Sequence, residues 1–345
     1  MEISCDSTPR KSRPHATLNT VALVAAGAML ATLFIPRVAE VGSVFFEYIR
    51  KMILPYLLGV GIGGVIDHVI PLRYVRYFLA RQKKRTIGFA LVLGVLMSVC
   101  SHGILAISME LYKKGASVPA VMAFLMASPW ANFPMTILLI TFFGLKGIVF
   151  ILAAVMVAGV TGLLFQVIEK QGWVAPKYPP DEQLPEVTTV SFWTDIKAAR
   201  TDTDWSIRGW SAHIRASLSG SWRLMQMTGG WLLIGAVIAA VTRYGVPSQV
   251  FHDWLGPSLT GMLATMGLAS VIEVCSEGSA PMAFEIYHQT GAFGNVFVFL
   301  LAGVATDYTE IGLIWSTIGP RPAIWLPLIS VPLILAIGLL FNWFL

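Results

Sequence analysis

The chain has 345 residues, of which 56% are hydrophobic and 12% charged, and its formal net charge is +5. Soluble domains hold roughly twice that charged fraction, so a water-soluble globular protein is excluded. Nor does the positive balance mark a nucleic-acid partner, because Lys and Arg fall in the stretches between apolar blocks, where they orient helices across a bilayer.

A polar tail, residues 1–17, carries Arg10, Lys11 and Arg13 and precedes the apolar run 18–35. That run passes the small residues Ala26-Gly27-Ala28 without a break, so it reads as a retained helix or signal anchor rather than a cleaved leader. Four apolar segments follow at 52–70, 87–111, 118–143 and 147–168, and four more at 224–241, 258–287, 293–315 and 323–345. Each is near or above the roughly 20 residues that cross a bilayer. The expected fold is therefore all-α, a polytopic protein of about nine transmembrane helices in contact with membrane lipid. Several segments are long and hold Gly, Pro or polar residues midway, which predicts tilt or breaks.

Between the two sets lies a polar linker, residues 169–223, with seven acidic and seven basic residues and the tryptophans Trp193, Trp205, Trp210 and Trp222. Its later part has the aromatic anchors of an interfacial helix. The two sets repeat one another. Pro55-Tyr56-Leu57-Leu58-Gly59 answers Trp231-Leu232-Leu233-Ile234-Gly235, Cys100-Ser101-His102-Gly103 answers Cys275-Ser276-Glu277-Gly278, and Glu110-Leu111-Tyr112 answers Glu285-Ile286-Tyr287. Asn132 answers Asp307 in the same way, always at a spacing of 175 or 176 positions. Copies at 52–168 and 224–345, each with four segments, have an even parity, which predicts two parallel repeats. The stretch 73–85 holds six basic residues and no acid, which places it in the cytoplasm and the long linker on the outer side of a bacterial inner membrane.

The second and third segments of each copy form a hairpin with non-helical signals halfway. The first hairpin carries Cys100-Ser101-His102-Gly103 opposite Ser128-Pro129-Trp130-Ala131-Asn132-Phe133-Pro134. The second carries Cys275-Ser276-Glu277-Gly278-Ser279-Ala280-Pro281 opposite Gly303-Val304-Ala305-Thr306-Asp307. Breaks at such depth free backbone groups that protein or a wet cavity must satisfy, and half-helix ends of this kind face substrates. The candidate substrate-binding residues are therefore Cys100, Ser101, His102, Asn132, Cys275, Ser276, Glu277 and Asp307. Ionisable groups at membrane depth are costly, by about 2.5–3.5 kcal/mol, and so point to function. The bland alternative has Glu277 and Asp307 merely capping helix ends. Glu273 could simply face its neighbours, and Glu110 and Glu285, near the hairpin tips, read as interfacial. Cys100 and Cys275 are soft ligands for a soft metal or a trivalent metalloid, with His102 as a third ligand and His102 or Glu277 as the group that moves a proton. Buried thiols also serve as plain packing.

At these hairpins the chain resembles the bacterial permease family that includes the trivalent organoarsenical efflux (ArsP-like) permeases. The resemblance rests on Cys100–Gly103, Lys114-Gly115-Ala116-Ser117, Ala123-Phe124-Leu125, Ala127-Ser128-Pro129, Cys275-Ser276-Glu277, Phe299 to Gly303 and Thr306-Asp307. It implies an inner-membrane permease of about eight helices and, in some members, export of reduced organoarsenicals. The family's first motif usually reads Cys-Ser-Cys-Gly; here His102 replaces the second thiol. The expected function is a secondary transporter, an exporter of a small toxic or soft solute, with no cofactor and with self-association left open. The alternatives are a permease for another small anion or soft cation, a membrane sensor, or an intramembrane enzyme. Neighbouring residues such as Ser101 and His102 point in different directions on a helix, so a nucleophile and base there make poor geometry. No Gly-x-x-x-x-Gly-Lys-Ser/Thr loop marks an ATPase.

Overall fold

The computed structural model describes residues 36–69, 85–97, 101–113, 116–174, 207–272 and 276–345. Their only regular structure is helix, with no strand among the described residues. In chain order the helices are α1 (Pro36–Val69), α2 (Arg85–Leu96), α3 (Ser101–Lys113), α4 (Val118–Ala131), α5 (Phe133–Phe143) and α6 (Leu145–Lys170). After the linker come α7 (Ile207–Gly245), α8 (Ser248–Leu255), α9 (Leu259–Val271), α10 (Ser276–Thr290), α11 (Phe293–Thr306), α12 (Tyr308–Thr317) and α13 (Pro320–Phe344). The run 18–35 lies outside the described residues.

Four helical stretches are long and apolar enough to cross a membrane, namely α6, residues 217–245 of α7, α11 with α12, and α13. A fifth arises if α4 and α5, bent by 49° where they meet, are one span. This is a multi-pass membrane architecture. The interior is built around α4, which is apolar on every side and buried at every position, as expected of a helix enclosed by others. Phe150 of α6 meets Phe297 of α11 edge-on at 5.2 Å and joins the two parts of the core.

Proline and glycine set the joints. Pro134 has no N–H and its ring would clash with the carbonyl of Trp130, so the helix ends at Ala131 and α5 restarts with Pro134 in its first turn. The turns into α6 and α13 use Gly144 at φ 60° and Gly319 at φ 143°, a backbone region that a side chain opposes.

Directions can be read from contacts along each helix. On α1, Glu47 binds Arg243 at 3.2 Å, the Tyr56 hydroxyl lies 2.6 Å from the Thr228 hydroxyl, and Gly64 abuts Ser221. Numbers rise on α1 as they fall on α7, so the two run antiparallel. So do α6 and α13, since Lys146 reaches the carbonyl of Leu345 while Trp173, just past α6, stacks on Trp325 at 5.5 Å. These helices occupy corresponding places in the two sequence copies, so the expected parallel relation does not hold.

The reason lies in the segments 87–111 and 258–287, each expected to span once. On α2, Ile87 meets Gly162 beside Pro119, whereas a Cβ on Gly94 would touch Ser128 at 3.1 Å. Helix α2 therefore runs alongside α4, from its start to its end. Had α3 continued in that direction, its last residue would stand roughly 35 Å from the start of α4. The four intervening residues can bridge only about 18 Å. Hence α3 turns back, and α2–α3 enters and leaves by one face. The second hairpin behaves alike: Met262 lies level with Gly294 and Val298, Ser270 bonds Thr306 at 2.7 Å, and α10 ends at Thr290, just before Phe293 opens α11.

The end of α1, the starts of α2 and α4 and the end of α6 share one face, called here the linker face. The segment 70–84 and the long linker thus attach on the same side, not on opposite sides. The starts of α1, α6 and α9 lie at the far face.

Candidate functional site

The ends of the half-length helices gather in the interior. Asn132 caps α5: its side-chain oxygen accepts from the Met135 amide at 2.9 Å, and its amide group reaches the Pro129 carbonyl at 3.4 Å. Asp307 caps α12 in the same manner. One of its carboxylate oxygens accepts from the Thr309 amide at 2.7 Å, the Thr309 hydroxyl at 2.6 Å and the Glu310 amide at 3.2 Å. The first N–H groups of a helix have no partner within it, and a carboxylate there also meets the positive end of the helix dipole. The capping role weighed for Asp307 is thus present. Glu277 sits in the first turn of α10, 2% exposed, and accepts a bond from the Ser276 hydroxyl at 2.9 Å.

Ser276 and Asp307 line one small cavity with Trp130, Ser279, Gly303 and Glu310. Its volume is about 20 Å³, room for a single water by the usual measure. Two lining residues were not singled out from the sequence. Glu310, 2% exposed, stands three places after the capping Asp307, a spacing that signals a helix start and so hides a site residue behind a structural motif. Trp130 is 1% exposed, and its indole N–H has no hydrogen-bond partner among the described residues; nor has the hydroxyl of Ser128. Buried donors of this kind ordinarily find a partner, so the interior here is set up for a guest or a water.

The remaining expected residues divide in two. Cys100, Glu273 and Cys275 lie outside the described residues. Ser101 and His102 are the first two residues of α3, and their side chains also lie outside what is described. Among the described residues no group of three His, Cys, Asp or Glu side chains is placed to hold a metal ion. Glu285 differs from its expected interfacial position. It is fully buried, accepts a bond from the Tyr48 hydroxyl, and takes a second from the Gln289 side chain at 2.6 Å. Its sequence counterpart Glu110 is exposed.

A buried site among half-helices of a multi-pass membrane protein is the architecture of a permease rather than of a soluble enzyme. The chain belongs to the ArsP_1 family of predicted permeases, which it matches over residues 39–343. The family resemblance seen at the hairpin motifs is thereby borne out. It is also similar to the UPF0718 protein YcgR of Bacillus subtilis (strain 168), with 24% identity over 308 residues, covering 87% of this chain and 96% of that protein. No solved structure matches.

Proposed function

We propose that this chain is a secondary transporter built from two inverted copies, each with three crossings and one re-entrant hairpin. Helix starts support the pairing: α3, α4, α5 and α6 begin at 101, 118, 133 and 145, and α10, α11, α12 and α13 begin at 276, 293, 308 and 320, each 175 later. Three crossings per copy are odd, which accounts for the antiparallel α1–α7 and α6–α13 pairs. The re-entrant hairpins then approach the midplane from opposite faces. In sequence, the segments that join helices at the linker face (70–84, 114–117, 171–206 and 318–319) carry nine Lys and Arg residues, and those that join helices at the far face (144, 246–247, 256–258 and 291–292) carry none, a bias that supports a cytoplasmic linker face.

One observation carries the reading. The starts of α10 and α12, with Ser276 and Asp307, line a single buried cavity beside an unpartnered indole N–H. In sequence, Cys100 and Cys275 fall between the arms of the two hairpins. Two soft thiols in those hairpins would suit a trivalent metalloid, an organoarsenical or a soft cation, with Glu277 and His102 as the groups that exchange protons. Export is the direction that makes such a solute harmless to the cell.

The test is resistance. Cells sensitised to arsenite, trivalent organoarsenicals and soft metal ions should grow at higher doses when they carry the intact chain. Cys275→Ala and Glu277→Gln should each remove that protection at unchanged protein level. Undiminished protection in both variants would rule out the site.

A further inference from the structure

The two hairpins are not covered alike. In the far half, α1 packs along α5 and α7 packs along α10; a Cβ on Gly59 would collide with the Pro134 backbone, and one on Gly235 with the Gly278 carbonyl. The corresponding pairs in the linker half would be α7 with α12 and α1 with α3. Neither pair packs side by side among the described residues.

Exposure follows the same division. Leu138 of α5 is 1% exposed and its counterpart Leu313 of α12 is 37% exposed. Pro281 is buried where Ala106 is exposed, and Glu285 is buried where Glu110 is exposed. The uncovered residues are those whose counterparts lie beneath α1 and α7.

A cluster holds the far half shut. The Tyr48 hydroxyl on α1 donates to Glu285 on α10, and Arg243 on α7 binds Glu47 at 3.2 Å. Phe284 of α10 stacks on Phe142 of α5 at 4.7 Å, under Lys51 at 5.5 Å. All four elements that close the far half contribute to it. A carboxylate without water is stable there only while its bonds are made, so opening this seam requires the Tyr48–Glu285 bond to break and water to enter.

We propose that Tyr48 and Glu285 form the gate that shuts the far face, and that in this conformation the seam of the linker half is the one left unsealed, above a site that is itself still enclosed. Both are positioning residues: they hold α10 against α1 and touch no solute. Glu110, the counterpart of Glu285, belongs to the opposite seam and is buried when that seam closes. The assignment rests on the transporter reading above.

The experiment uses the full chain in sealed membrane vesicles of known orientation. Leu313→Cys and Leu138→Cys are introduced separately and treated with a membrane-impermeant maleimide from each side. Each modified peptide is quantified by mass, which separates the reporters from Cys5, Cys100 and Cys275. Maleimide needs a hydrated thiol, so a lipid-facing cysteine stays unmodified. Leu313→Cys should react from the linker face, and Leu138→Cys from neither. Adding Tyr48→Phe or Glu285→Gln should raise the reaction of Leu138→Cys from the far face by at least about tenfold, since a hydrogen bond to a charged group is worth that much or more. Glu110→Cys, at a position already exposed, is the second linker-face reporter should Leu313→Cys fail to fold. Equal reaction of Leu138→Cys and Leu313→Cys in the parent would overturn the proposal. So would gate variants that leave Leu138→Cys protected, or linker-face reporters that react from neither side. No solute is needed, so an absence of protection in the resistance test would sink the transporter reading while this labelling pattern still reported on the gate.

Discussion

Asn132 and Asp307 do the same work at corresponding points, but only Asp307 brings a charge. Its carboxylate oxygen takes three bonds at the start of α12, so Asp307→Ala removes a helix cap and should lower stability by about 1 kcal/mol. Asp307→Asn retains an acceptor at the same place and should recover most of that loss. Thermal unfolding of the purified protein in detergent measures both. If the two variants unfold alike, at the temperature of the parent, the cap contributes nothing. These two residues, with Ser276 and Glu277, were legible from sequence because polar groups stand out against apolar helices. Glu285 was not, since its distance along the segment suggested the membrane surface. Only the fold-back of α10 and the arrival of Tyr48 from a helix 237 positions away bury it. Trp130 was hidden for another reason: an aromatic among apolar neighbours gives no sign of an indole N–H left without a partner.

At the scale of helices, apolar length was easy to read and direction was not. The segment 258–287 has residues enough to span, and composition cannot distinguish one long crossing from two short arms. The missing information was in the connections: four residues from α3 to α4 and two from α10 to α11 are too few to return from the other side. Close packing of the arms depends on particular glycines. Gly235→Val would drive its Cβ into the Gly278 carbonyl, where backbone rather than a flexible side chain must yield. Gly61→Val, also on a membrane-embedded helix, meets nothing within 4 Å. The expected outcome is a large fall in the yield of monodisperse protein for Gly235→Val and a near-normal yield for Gly61→Val. Equal yields would show that α7 and α10 have room to separate.

For the molecule as a whole, counting each sequence copy as four crossings gave an even number and hence a parallel pair, which the antiparallel α1–α7 and α6–α13 pairs contradict. The proposed three crossings and a hairpin per copy make the number odd and the pair inverted. The consequence is a topology that can be mapped. Single cysteines at Gln82 and Thr189 should both be modified from the cytoplasmic side, and one at Ser43, exposed near the start of α1, from the other. Modification of Gln82 and Thr189 from opposite sides would restore the parallel arrangement.

An odd number of passes per half also bears on ancestry. A polypeptide of half this length, able to settle in the bilayer either way up, would assemble the same cage by joining head to tail with a twin of itself. Fusing two such twins into one chain leaves each free to drift apart from the other. One half of the sequence now carries Asp307, Glu277 and Glu310 where the other has Asn132, His102 and Met135.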